Sequence, residues 1–127
     1  MAGSRISITN KANGKRPRLP FARLKDAILG SEYDLSVALV SPRDSRKLNR
    51  AHRGKDKPTN VLSFPYDKQS GELVVDIETS SKDAPNFGMG TQKFLLFLVI
   101  HGMLHLKGFD HGSTMERAEK KFLKMFS

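Results

Sequence analysis

Apolar residues recur along this chain with two periods, about two in some stretches and about 3.6 in others, and the switches between them divide the sequence into elements. Arg5-Ile6-Ser7-Ile8-Thr9 alternates like a strand. Gly14 to Pro20 is a basic loop, after which Phe21, Leu24, Ile28 and Leu29 fall at helical spacing until Gly30 supplies a left-handed stop. Leu35 to Val40 reads as a second strand. Ser41-Pro42 then forms the N-cap and first residue of a short basic helix through Leu48.

Breakers and charges mark Arg53 to Pro58 as a loop leading into a strand from Thr59 to Phe64, and Gly71 to Glu78 forms another strand. The short link between these two implies an antiparallel pair. Ser80 to Gly90, rich in Ser, Pro, Asn and Gly, reads as loop with a turn of helix. Thr91 caps a helix running to Lys107 and stopped by Gly108, and Ser113-x-x-Glu116 is a capping box for a terminal amphipathic helix bearing Ala118, Phe122, Leu123 and Met125. The prediction is an α+β fold in one domain over residues 1–127: a mixed sheet of about four strands with four to five helices, the helix from Thr91 central.

Composition narrows this picture. With 38% hydrophobic and 28% charged residues the chain has the makeup of a folded globular protein. It has no cysteine, so any metal must be held by nitrogen and oxygen. The longest apolar run, Phe94 to Ile100, falls far short of the roughly 18 residues of a membrane span and reads as a buried helix, so no membrane partner is expected. No apolar stretch near the N-terminus would make a signal peptide, which points to the cytoplasm. Lys and Arg number 22 against 13 acidic residues, a net charge of +9. Such an excess either favours a polyanionic partner, with nucleic acid the usual one, or is a solvated basic surface.

The candidate chemistry lies in the histidines. His101 and His105, four apart on the helix from Thr91, project from one face, and Gly108 then reverses the chain so that His111 can return to the same point. Three of the chain's four histidines could meet by chance. The H-x-x-x-H-x-x-G-x-x-H spacing, however, is that of a large group of zinc proteases, where three imidazoles hold zinc and leave a fourth position for water. Those proteases place a glutamate general base directly after the first histidine; this chain has Gly102, which removes that chemistry. Glycine there lowers helix propensity by about 1 kcal/mol, so it serves close backbone packing or room for a substrate. Asp110 is either an acceptor that orients a ligand imidazole or a turn residue.

HGMLHLKGFDH, from His101 to His111, resembles the signature of the YbeY endoribonucleases, the bacterial rRNA maturation factors. Leu48-Asn49, RGKDKPTNVLSFP from Arg53 to Pro65, and Gly71 to Val75 resemble the family's other characteristic stretches in the same order. The resemblance implies a metal-dependent, single-strand-specific endoribonuclease acting in 3′-end maturation of small-subunit rRNA and in ribosome quality control. Its partners would be RNA and the small ribosomal subunit, with ribosomal proteins or a GTPase beside them. It also implies zinc on His101, His105 and His111, and Arg53 as the functional arginine; by their chemistry three imidazoles suit nickel, copper or iron as well. The chain departs from the family in its shorter length, in a compressed Ser80 to Gly90 connection and in Phe94, where relatives often carry an acidic residue. These departures bear on the wall of the substrate cleft.

In that chemistry Arg53 would be electrostatic, offering a planar and permanently charged fork to phosphate. Arg50, Lys55 and Lys57 are candidates to grip phosphates without reading sequence. Thr59, Asn60 and Ser63 either line the cleft or serve the strand, and His52 reads as a loop residue beside Arg53. Phe64 and Tyr66 either stack bases or pack. Two other classes stand beside the nuclease: a zinc-stabilised RNA- or ribosome-binding factor without turnover, and a metal hydrolase of another substrate.

Overall fold

A computed structural model describes residues 5–127. Four strands, β1 (Ile6–Asn10), β2 (Asp34–Val40), β3 (Val61–Asp67) and β4 (Ser70–Asp76), form one sheet in the order β1-β2-β4-β3. β1 and β2 are parallel, as are β2 and β4, while β3 returns antiparallel to β4 with Val61 opposite Val75. The sheet is therefore mixed and β3 is an outer edge. Pro65 is tolerated there because an edge strand can spare an amide.

Alternation along the strands sends apolar side chains to both faces. Leu35, Val37, Leu39, Val61, Leu73 and Val75 pack into the main core with α1 (Phe21–Ile28) and the long helix α4 (Thr91–Lys107). Ala38, Val40, Leu62 and Val74 face the other way, where Leu48 of α2 (Pro42–Arg53) packs against them. Helix α4 lies at the centre of the main layer, against β3, β4, α1, α3 (Ile77–Asp83) and α5 (Ser113–Phe126). Ten of its residues from Phe94 to Leu106 are buried, which is why this helix is apolar on nearly every side. Among the described residues no single helix is long and apolar enough to cross a membrane.

Several boundaries differ from expectation. Helix α2 does not stop at Leu48; it runs to Arg53 and ends at Gly54 in the left-handed conformation, φ 72°. The strand expected through Glu78 ends at Asp76, whose carboxylate accepts from the Thr79 amide at 2.9 Å and caps α3. The segment from Ser80 to Gly90 is thus not mainly loop: α3 is followed by a single 3₁₀ turn, Ala84–Phe87. Asp76 also accepts from Ser45 Oγ at 2.7 Å, fastening α2, β4 and α3 to one another. Thr91 and Ser113 are first helical residues, with Gly90 and Gly112 at the N-caps and no side-chain capping bond.

Gly102 has a clear packing role. A Cβ there would overlap the Leu73 side chain and press on Ser63 Oγ and Val61 Cγ2, each 3.2 Å away. The gap is closed by Ser63 Oγ donating to the Gly102 carbonyl at 2.9 Å. Close approach of α4 to β3 and β4 is therefore what the glycine allows, and it draws the histidine face of α4 up to the edge strand.

Candidate metal centre and its cleft

His101 and His105 lie one turn apart on α4 with ring centroids separated by 4.6 Å. Gly108, at φ 107°, ends the helix by donating to the His105 carbonyl at 3.0 Å, while the Phe109 amide returns to Leu104 at 3.0 Å. That reversal brings the His111 ring within 5.4 Å of His101 and 4.9 Å of His105. One nitrogen from each of the three imidazoles lies within 4.8 Å of the others.

The outer nitrogens decide what the inner ones can do. His101 Nδ1 is 2.5 Å from Glu119 Oε2, and His105 Nδ1 is 3.1 Å from the Phe109 carbonyl. Carboxylate and carbonyl oxygens only accept, so in neutral rings both Nδ1 atoms carry the hydrogen and both Nε2 atoms are bare. The two Nε2 atoms face each other at 3.1 Å. Two lone pairs at that distance are held together by a shared positive charge, a proton on one ring or a metal ion between both. The separation is also close to the roughly 3.3 Å edge of a tetrahedron whose metal–nitrogen bonds are about 2.0–2.1 Å. His111 is exposed and makes no hydrogen bond among the described residues, so its ring is able to close on the same point. Burial, and then the neighbouring His101, hold the His105 pKa below its ordinary value, keeping it in the neutral form a metal requires. His101, His105 and His111 thus fit one metal ion.

Asp110, adjacent to His111 in sequence, is exposed, and no hydrogen bond ties it to an imidazole. Glu119, which is 8% exposed, reaches His101 instead. Sequence reasoning missed it, although a signal existed. Glu119 shares a helical stripe with Met115 and Phe122, and a carboxylate on the buried side of an amphipathic helix needs a partner.

The histidines lie in a cleft of about 660 Å³ that runs along β3. Arg53 lines it from the last turn of α2, its Nη2 donating to the Val61 carbonyl at 3.3 Å. His52 is also on α2, not on a loop, and lines the cleft with its ring 4.7 Å from Phe64. Thr59, Asn60 and Ser63 line it too, but Asn60 is held by Asp83 at 3.0 Å and Ser63 by Gly102. Arg50, Lys55 and Lys57 are exposed beside the cleft and are not part of its lining. Asp56 lies among them, paired through two bonds of 2.8 and 3.1 Å with Arg46, whose hydrogen bond lowers the Asp56 pKa. This acid tempers the basic loop. Phe64 packs with the smaller apolar cluster, and Tyr66 projects into solvent and donates to Glu72 at 2.8 Å. Phe87, Phe94 and Phe97 line the cleft as well, the last two from the apolar run that reads as buried helix in the sequence.

The sequence model described as Endoribonuclease YbeY matches residues 16–126. The chain belongs to the YbeY endoribonuclease family. An endoribonuclease YbeY of Aromatoleum aromaticum is 37% identical over 97% of this chain and 86% of its own length. One from Colwellia psychrerythraea is 38% identical over 74% of this chain, which spans 65% of that relative. The solution structure of TM1509 from Thermotoga maritima superposes with a TM-score of 0.66 at 31% identity, covering 93% of this chain and 87% of that one. The YbeY match spans α1 to α5 and so includes every residue of the histidine cluster and both walls of the cleft.

Proposed function

We propose that this protein is a zinc-dependent endoribonuclease of single-stranded RNA, working in the cytoplasm on the 3′ end of small-subunit rRNA and in ribosome quality control. The small ribosomal subunit, with ribosomal proteins or a GTPase, would be its setting. One observation carries the reading: three imidazoles converge within 4.8 Å, two of them with Nε2 atoms 3.1 Å apart, in the same cleft as Arg53, in a chain of the YbeY family. An all-nitrogen donor set of three neutral histidines is one that zinc favours.

Zinc held by these residues supplies Lewis acidity to phosphodiester hydrolysis. Arg53 binds the phosphate from the α2 side, with one corner of its fork held by the Val61 carbonyl and its remaining donors left for phosphate. Glu119 keeps the hydrogen on His101 Nδ1 and so keeps Nε2 turned inward. The Phe109 carbonyl does the same for His105. Gly102 offers no carboxylate beside His101, which sets this centre apart from peptide hydrolysis. Arg50, Lys55 and Lys57 hold flanking phosphates by charge, outside the cleft itself.

A second reading has one observation in its favour. His111 sits on the turn joining α4 and α5, so a metal there would clamp that turn and stabilise an RNA-binding factor without turnover. His101→Ala separates the two when RNA cleavage and RNA affinity are measured together. Lost cleavage with folding and affinity retained supports the enzyme, and equal loss of folding overturns it. Metal analysis of protein purified without an affinity histidine tag should find about one equivalent of zinc. Less than half an equivalent of any transition metal would overturn the centre.

A further inference from the structure

Metal ligands and Arg53 leave one wall of the cleft without a task. Phe87 is 58% exposed, yet it sits on a fixed turn, with the Gly88 amide bonded to the Pro85 carbonyl at 3.1 Å and the Met89 amide to the Ala84 carbonyl at 3.2 Å. Its ring stacks on buried Phe94, centroids 4.8 Å apart and planes 24° from parallel. Phe94 continues to Phe97 at 6.2 Å and 18°, and Phe97 to His101 at 6.1 Å and 30°. A ladder of rings therefore leads from solvent to the metal ligands. The cationic Arg53 lines the same cleft from α2. Of the two acids on the lining, Glu119 is held by His101, and Glu116 lies at the α5 end.

A lone exposed phenylalanine is ordinary on a protein surface. This one has one face covered by a stacked ring, a backbone that cannot easily turn it away, and a cleft shared with a phosphate-binding group. We propose that Phe87 is a stacking platform for a nucleobase of single-stranded RNA, belonging to a nucleotide that flanks the phosphate held at Arg53 and the histidines. Three steps of the ladder separate Phe87 from His101, so it takes a base other than that of the reacting nucleotide. Every base has a π face, which makes such a platform tolerant of sequence; paired bases in a duplex are not free to use it. Phe87 thereby contributes to selection of single strands. This rests on the ribonuclease reading above.

The chain contains no tryptophan, so Phe87→Trp places a sole indole reporter at the platform. Its emission should be quenched saturably by a short single-stranded RNA and left unmoved by the same sequence as a duplex or by a fully abasic strand of equal length. Phe87→Leu keeps apolar cover over Phe94 but loses the flat ring. It should raise KM roughly five- to 150-fold, the range of one base stack, with kcat at saturation and the melting temperature unchanged. Wild-type cleavage together with an unmoved indole, with quenching by the abasic strand, or with an unchanged KM in Phe87→Leu overturns the platform and leaves the nuclease standing. A fall in melting temperature and kcat in Phe87→Leu assigns the ring to packing and overturns it as well. Failure of the wild-type protein to cleave or bind RNA overturns both.

Discussion

Glu119→Gln is the substitution that most directly probes how the metal centre is built. Gln keeps the size and an oxygen able to accept from His101 Nδ1, but removes the charge from a contact of 2.5 Å made by a side chain only 8% exposed. Loss of the group that orients a ligand imidazole typically weakens metal binding about 10- to 100-fold, or roughly 1.4–2.7 kcal/mol. The metal-free protein should lose less, about 1 kcal/mol, because a neutral hydrogen bond survives where a charge-assisted one stood. Competition against a coloured chelator at fixed pH measures the first quantity, and thermal melting of the stripped protein measures the second. Asp110→Asn is the matched control: it alters an exposed side chain beside a ligand and should change affinity by no more than about twofold. If Glu119→Gln binds metal like the wild type while Asp110→Asn does not, the account of this centre is wrong.

Three further outcomes are expected. Gly102→Ala gains about 1 kcal/mol of helix propensity but forces a methyl group into the contact with Leu73, where overpacking costs about 1–3 kcal/mol; melting should fall or hold level, and a rise would show that the close approach to β4 is not needed. Arg53→Lys keeps the charge and loses the fork, so RNA affinity and its salt dependence should persist while kcat drops roughly tenfold or more; an unchanged kcat would move Arg53 out of the reacting centre. Because the His105 pKa is lowered from about 6.5 in the folded protein, the unfolded chain takes up that proton first as pH falls. Metal-free protein should therefore lose stability from just above pH 6.5 down to the lowered folded value, and His105→Gln should flatten that slope in denaturant titrations.

How legible these features were in the sequence depended on whether apolar spacing marked them. Helix α4 was plain because its apolar residues fill nearly every position, and the Gly108 stop fixed where His111 could return. The far end of α2 was hidden because its buried side is polar. Ser45 and Asn49 face inward, donating to Asp76 at 2.7 Å and to the Lys57 carbonyl at 2.9 Å, so the apolar pattern ceased at Leu48 while the helix did not. Helix α3 was disguised in the same way. Ser80 and Ser81 read as loop residues, yet they donate back to the carbonyls of Asp76 and Ile77, four residues earlier, and so remain within a helix.

The candidate site divides along a related line. Its ligands lie within one turn-and-reversal, where spacing along the chain translates directly into proximity, and three histidines could be named from that spacing alone. Its supports do not. Adjacency leaves Asp110 open as either an imidazole partner or a turn residue, and the reversal at Gly108 leaves it in solvent, while α5 folds back across α4 and delivers Glu119 from eighteen residues beyond His101. Phe87 arrives from the other direction, on a turn whose place against Phe94 depends on the packing of α3 and α4. Ligand spacing is thus a property of one helix and its stop, whereas ligand orientation and the far wall of the cleft are properties of how three helices pack. A variant that moves α5 without touching a histidine should weaken metal binding, and one that moves the Phe87 turn should weaken RNA binding while leaving the metal in place.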